Sequence, residues 1–213
     1  MKLKRSILSL ATACALLLAA CSAGAPASSA PVASSSSSQA ASQAASSSVQ
    51  EDAPMNLGAF TSETLDGETV DQSIFEGHTL TVVNVWATFC GWCVDEMPIL
   101  SQLADEYAED GVQVIGIVSD TIAQDGSIDP DQVALAQDIV LQGNAEYPNL
   151  VLSEDLLNLG FASLPAVPAT FFFDGNGDMV GKGILGAQDE AGWRSYIEER
   201  LPMAQTQMEE AQG

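Results

Sequence analysis

Positive charge is the scarcest property of this chain. Six Lys and Arg stand against 29 Asp and Glu in 213 residues, a formal net charge of -23, with a single histidine. No basic patch can be assembled to displace counterions from a phosphate backbone, so nucleic acid is excluded as a partner. Cysteine is also sparse, at positions 14, 21, 90 and 93. A structural zinc site wants four ligands, and after position 21 the chain offers only Cys90, Cys93, His78 and carboxylates. Covalent haem needs a histidine directly after the second cysteine, where Val94 stands. A peroxide-reducing cysteine leans on a nearby arginine, yet none occurs between Arg5 and Arg194. His78, in Glu76-Gly77-His78, reads as a turn residue.

The N-terminus is organised differently from the rest. Lys2, Lys4 and Arg5 precede Ser6 to Ala20, an apolar, small-residue stretch too short for a comfortable membrane span. Residues 1–20 therefore read as a secretory signal. Its end, Leu18-Ala19-Ala20-Cys21, resembles the bacterial lipobox, in which the cysteine takes a lipid before cleavage; ordinary signal cleavage nearby is the alternative. The resemblance implies that Cys21 anchors the mature protein to a membrane. Cys14 would leave with the signal, so Cys90 and Cys93 would be the free thiols, and three cations would remain against 29 acids. The acids serve chiefly to keep an exported protein soluble. Residues 21–56 hold the lipidated cysteine and a Ser/Ala/Gln-rich tether that cannot bury enough apolar surface to fold. Its reach as a flexible coil is roughly 30 Å.

A folded domain is expected over 57–205, with 206–213 as a tail. Asp66-Gly67 between Ala59–Thr64 and Glu68–Val70 predicts an N-terminal hairpin. Leu80–Trp86 and Val112–Val118 are apolar and β-branched, as buried central strands are. Between them Met97, Leu100, Leu103, Ala104 and Tyr107 fall at helical spacing before Gly111. Asp129-Pro130 supplies a cap and first-turn proline for a helix to about Gln142. Short strands follow at Leu150–Leu152 and Ala169–Phe173, with Met179–Ile184 as hairpin partner of the latter, and a last helix from Gln188 into Leu201. The order gives an α/β fold with a central mixed sheet flanked by helices.

Cys90-Gly91-Trp92-Cys93 sits where a strand gives way to a helix. Unpaired N–H groups and the partial positive charge of a helix N-terminus stabilise a thiolate there. Trp86 is expected to pack beneath this pair, and Trp92 to be exposed.

Trp86-Ala87-Thr88-Phe89-Cys90-Gly91-Trp92-Cys93-Val94-Asp95-Glu96-Met97-Pro98 resembles the active-site stretch of the TlpA/ResA-like branch of the thioredoxin superfamily. Val167-Pro168-Ala169-Thr170-Phe171-Phe172-Phe173 resembles that branch's cis-proline loop and following strand. The likeness covers about Leu57 to Leu201 and implies a thioredoxin-like fold, with Thr121–Tyr147 at the position of the branch's insertion. It implies thiol-disulfide exchange without a cofactor: Cys90 attacks a disulfide and Cys93 resolves the mixed disulfide. Pro168 would be cis and face the pair, although Pro165 competes for that role. Val167 would offer its backbone to protein disulfide substrates, and Trp92 would cover them. Glu96, one turn after Cys93, would move protons; a solvated first-turn acid is the alternative. A membrane-embedded thiol donor of the CcdA/DsbD-like kind and a monomeric state complete the expectation, with reduction as the favoured direction. The alternatives are a disulfide oxidase or isomerase, and a ligand-binding lipoprotein that uses the pair as a staple. So short a loop gains little stability by chain entropy, which argues against the staple.

Overall fold

The computed structural model describes residues 56–213. Cys21, the signal and the tether up to residue 55 lie outside the described residues. β1 (Thr61–Glu63) and β2 (Thr69–Asp71) pair antiparallel around Asp66-Gly67, as the turn signal predicts. The main sheet holds β3 (Leu80–Trp86), β4 (Val112–Val118), β5 (Asn149–Val151), β6 (Ala169–Phe173) and β7 (Ile184–Leu185). Their order is β5-β4-β3-β6-β7, with β5, β4 and β3 parallel and β6 and β7 antiparallel to their neighbours. Every residue of β3 is buried, which accounts for its near-continuous apolar run.

Strand alternation sorts the core into two layers. Leu80, Val82, Trp86 and Phe172 join α1 (Gly91–Glu106), α2 (Pro130–Gln142) and α4 (Glu190–Ala211) through Met97, Leu100, Ala136, Trp193 and Ile197. Val83, Val85, Ile115, Ile117 and Phe173 instead meet Leu57, Phe60 and Phe75 from the N-terminal segment. Leu156 of α3 (Glu154–Asn158), a helix with no expectation in the sequence pattern, joins this second layer.

Asp129 caps α2 by accepting from the Asp131 and Gln132 N–H groups, with Pro130 in the first turn. Gly111 takes φ of 80° after α1, and its carbonyl accepts the Thr79 and Leu80 N–H groups. At Gly116 an added Cβ would lie 1.9 Å from Asn149 Oδ1, so only glycine lets β4 and the Asn149 side chain approach.

Two expectations need correction. Met179–Ile184 is not a full strand: Phe173 bridges Met179, and regular pairing resumes only at Ile184–Leu185. Gly181 has φ of 69°, so the segment bends where a strand would run straight, and a Cβ at Gly183 would strike the Phe171 ring at 2.8 Å, so only glycine fits there. The last helix does not stop at Leu201 but continues to Ala211, so most of 206–213 is helical. Pro202 lies inside it, and beyond the proline Ala204 is buried against the core.

Candidate active site

β3 ends at Trp86 and α1 begins at Gly91, with Ala87 to Cys90 between them. Two anchors hold this loop. The Trp86 carbonyl accepts both the N–H and the hydroxyl of Ser119, and Asp120 accepts the Thr88 N–H at 3.0 and 3.1 Å and its hydroxyl. Trp86 is wholly buried, as expected, and its indole donates to Asn149 Oδ1 at 2.8 Å.

Cys90 is the N-cap of α1 and is disulfide-bonded to Cys93, with the two Cα atoms 5.3 Å apart. Its sulfur accepts the Cys93 N–H at 3.2 Å. Cys90 keeps 8% of its surface exposed and Cys93 none. Trp92 is 74% exposed, as read from the sequence, and so is Phe89 at 78%, which the sequence reading did not single out.

Val167–Pro168 is a cis peptide bond, which decides between the two prolines; Pro165 is exposed. Val167 packs against the core layer that contains Cys90 and Cys93. It also lines, with Phe89, Asp120, Phe161, Leu164 and Pro165, a surface cleft of about 490 Å³ beside the pair.

Glu96 is buried, 1% exposed, and therefore not a solvated first-turn acid. One carboxylate oxygen accepts from Asn84 Nδ2 at 2.9 Å, the other from the Gln188 N–H at 3.2 Å. Burial disfavours the charge and pushes the carboxyl up to about 7, against the opposing pull of these hydrogen bonds, Asn84 first. The Trp193 indole is turned to the same carboxylate but falls outside hydrogen-bond geometry, and its Nε1 is buried without a partner. Tyr147 is raised above its ordinary value by burial and then by Glu96. Asn84 had a signal in the sequence, being with Thr81 one of two polar residues in the buried Leu80–Trp86 run. Gln188 and Trp193 had none, because they reach Glu96 from the other end of the domain.

His78 is partly buried at a turn, and desolvation lowers its pKa. Among the described residues no group of three or more His, Cys, Asp or Glu is placed to hold a metal ion. No described helix is long and apolar enough to cross a membrane. Of the three described cations, Arg194 pairs with Glu106 and Glu190, and Arg200 stacks over Phe172 with its guanidinium 4.3 Å from the ring centre.

A disulfide-forming pair capping the helix after a central strand, with a cis-proline loop beside it, defines a thiol-disulfide oxidoreductase of thioredoxin-like fold. The chain belongs to the Redoxin family, whose model matches residues 48–184. It is similar to the thiol-disulfide oxidoreductase ResA of Bacillus cereus, 26% identical over 144 residues, which cover 67% of this chain and 75% of that one. It is also similar to the thiol:disulfide interchange protein DsbE of Yersinia pestis, 30% identical over 121 residues, covering 56% and 57%. In fold it matches a thioredoxin-family thiol:disulfide interchange protein from Chlorobium tepidum, with TM-score 0.56 and 20% identity, over 70% of this chain and 97% of that one. The TlpA/ResA-like resemblance and the expected enzyme class are thereby borne out.

Proposed function

We propose that this oxidoreductase reduces disulfides of extracytoplasmic proteins while anchored to a membrane through lipid on Cys21, and that it works as a monomer. The observation that carries the chemistry is Cys90 at the N-cap of α1, more exposed than Cys93 and accepting the Cys93 N–H. Cys90 as thiolate attacks a substrate disulfide, and one substrate sulfur leaves. Cys93 gives its proton to the Glu96 carboxylate and attacks the Cys90 sulfur; the second substrate sulfur departs with the electron pair and is protonated. Val167 offers its backbone to the bound segment, Pro168 sets the turn, and the exposed Trp92 ring covers the partner.

The reductive direction rests on two arguments. A negative charge on Glu96 disfavours a neighbouring thiolate, whereas strong oxidants owe their power to a stabilised reduced form. A tether of roughly 30 Å also raises the local concentration of a membrane-embedded thiol donor, of the CcdA/DsbD-like kind implied by resemblance. The test is to trap mixed disulfides in cells with Cys93→Ala, identify what is joined to Cys90, and measure the reduction potential of the purified protein. Trapped substrates and a potential well below that of a strong oxidant, about -120 mV, are expected. A potential near that value, with the pair mostly oxidised in cells, would make the protein an oxidase.

A further inference from the structure

Glu96 belongs to two hydrogen-bonded arms, one ending at Thr170 and the other, two residues earlier, at the Pro168 carbonyl. In the first arm Asn84 Nδ2 donates to Glu96 Oε1 at 2.9 Å and to Thr170 Oγ1 at 3.1 Å. Thr170 lies two residues after Pro168 in β6, directly across from Asn84 in β3. In the second arm the Gln188 N–H donates to Glu96 Oε2 at 3.2 Å, and Gln188 Nε2 donates to the Gly186 carbonyl at 3.0 Å. The Gly186 N–H in turn donates to the Pro168 carbonyl at 2.8 Å. Both arms use donors only, so both are matched to a charged Glu96. Hydrogen bonds to an ionised acceptor are about twice as strong as neutral ones, and shorter. A proton on the carboxyl therefore weakens both arms together, because it removes the charge that strengthens them.

We propose that Asn84 and Gln188 are positioning residues through which the charge on Glu96 sets how firmly the Val167–Pro168 loop is held against a bound disulfide partner. The inference rests on the exchange reading above and adds a timing to it. Before exchange, charged Glu96 keeps both arms tight and the loop firm. During resolution the Cys93 S–H bond breaks, its proton moves to Glu96, and the sulfur–sulfur bond passes from Cys90–substrate to Cys90–Cys93. The proton that completes the chemistry thus loosens the loop when the reduced substrate must leave. Its later transfer to solvent restores the charge and the grip.

The segment that carries the second arm, Gly186 to Gln188, lies between β7 and α4 in no regular element, with Gly186 at φ of 90°, so it can yield without unfolding either neighbour. The groups facing Glu96 come from every element around it. β3 contributes Asn84, which with its partner Thr170 of β6 does not titrate; α1 carries Cys93 three residues earlier; the segment before β5 contributes Tyr147, raised by burial; and α4 contributes Trp193, with Asp189 at its cap held by the Gly192 N–H. With the disulfide closed Cys93 is silent, which leaves Glu96 to titrate near neutrality.

The experiment uses the oxidised full chain and follows amide hydrogen exchange by NMR at Gly186 and Gln188, corrected for intrinsic exchange, as pH is lowered through the Glu96 midpoint. Protection should fall roughly fivefold at both amides, in step with the 13C shift of the Glu96 carboxyl. In Glu96→Gln the step should vanish. In Asn84→Leu it should persist with its midpoint raised by about one pH unit, a tenfold change in ionisation. Flat protection through the Glu96 titration in the unaltered protein would overturn the proposal, as would the same step in Glu96→Gln or an unmoved midpoint in Asn84→Leu. Because the oxidised protein performs no exchange, such a failure would leave the mixed-disulfide test untouched.

Discussion

Glu96 makes the stability of this domain depend on pH in a direction opposite to most carboxylates. Its carboxyl titrates at about 7 when folded against an ordinary value of 4.5, chiefly because burial disfavours the charge. Between those values the folded state holds a proton that the unfolded chain has released, so stability falls as pH rises. The shift corresponds to about 3 kcal/mol, most of which falls between pH 5 and pH 8. His78, lowered by burial, acts with the opposite sign: its share of stability is present above its unfolded value of 6.5 and is lost as pH falls through it. The two are separated by urea unfolding of the oxidised protein and of Glu96→Gln across that range. The variant brings an NH2 group towards the Asn84 and Gln188 donors, at a cost that does not vary with pH. His78 is common to both proteins. The difference between the curves should therefore move by about 2 kcal/mol in favour of the variant as pH rises, a relative midpoint shift of roughly 1 M urea. Parallel curves would show that Glu96 titrates in the folded protein as it does in the unfolded chain, and its burial would then carry none of the argument above.

Much of this fold is legible because its signals are local. Leu80–Trp86, Val112–Val118 and Ala169–Phe173 are apolar runs of strand length, and each forms a strand with those bounds. Asp129-Pro130 carries its own cap and first-turn geometry, and α2 starts there. The disulfide pair, its place at a helix start and the cis-proline are likewise readable from short stretches and their resemblance. Where the reading fell short, a distant contact decides the outcome. α4 continues past Pro202 and packs Ala204 into the core, a contact that no local propensity reports. Met179 to Gly183 leaves the strand at Gly181, whose φ of 69° no strand carries, and Gly183 leaves room for the Phe171 ring beside it.

The site divides along the same line. Cys90, Cys93 and Glu96 lie within seven residues and follow from the order of strand, cap and first turn. The groups that govern Glu96 are Asn84 from β3 and Gln188 from the approach to α4, 12 and 92 residues away in sequence. Their convergence is a property of the sheet order. A buried polar residue such as Asn84 in an apolar strand signals that a partner exists, since unpaired it would cost free energy, but not which partner it is.

Alkylation of the reduced protein near pH 6 to 7 should label Cys90 ahead of Cys93, since Cys90 is the more exposed and caps the helix; equal or reversed labelling would refute the order of attack. Cys21→Ala should shift the protein from the membrane fraction to the soluble extracytoplasmic one, and unchanged retention would dispose of the lipid anchor. Gly116→Ala should destabilise the domain by about 2 kcal/mol in urea titration, because the new methyl meets Asn149 Oδ1 and opens its bond to Trp86 beneath the site. Asp120 offers the sharpest test of the loop itself. Its carboxylate holds the Thr88 N–H and hydroxyl two residues before Cys90, so Asp120→Ala frees the approach to the nucleophile. Removing this anion also favours the Cys90 thiolate, and near neutral pH that gain offsets the loss of position. On the high-pH plateau of each protein's exchange rate only position remains. There the exchange rate of Asp120→Ala with a model disulfide should fall about tenfold, a modest share of what misplacement of a reacting group can cost. Equal rates in that range would show that Cys90 is placed by its helix cap alone.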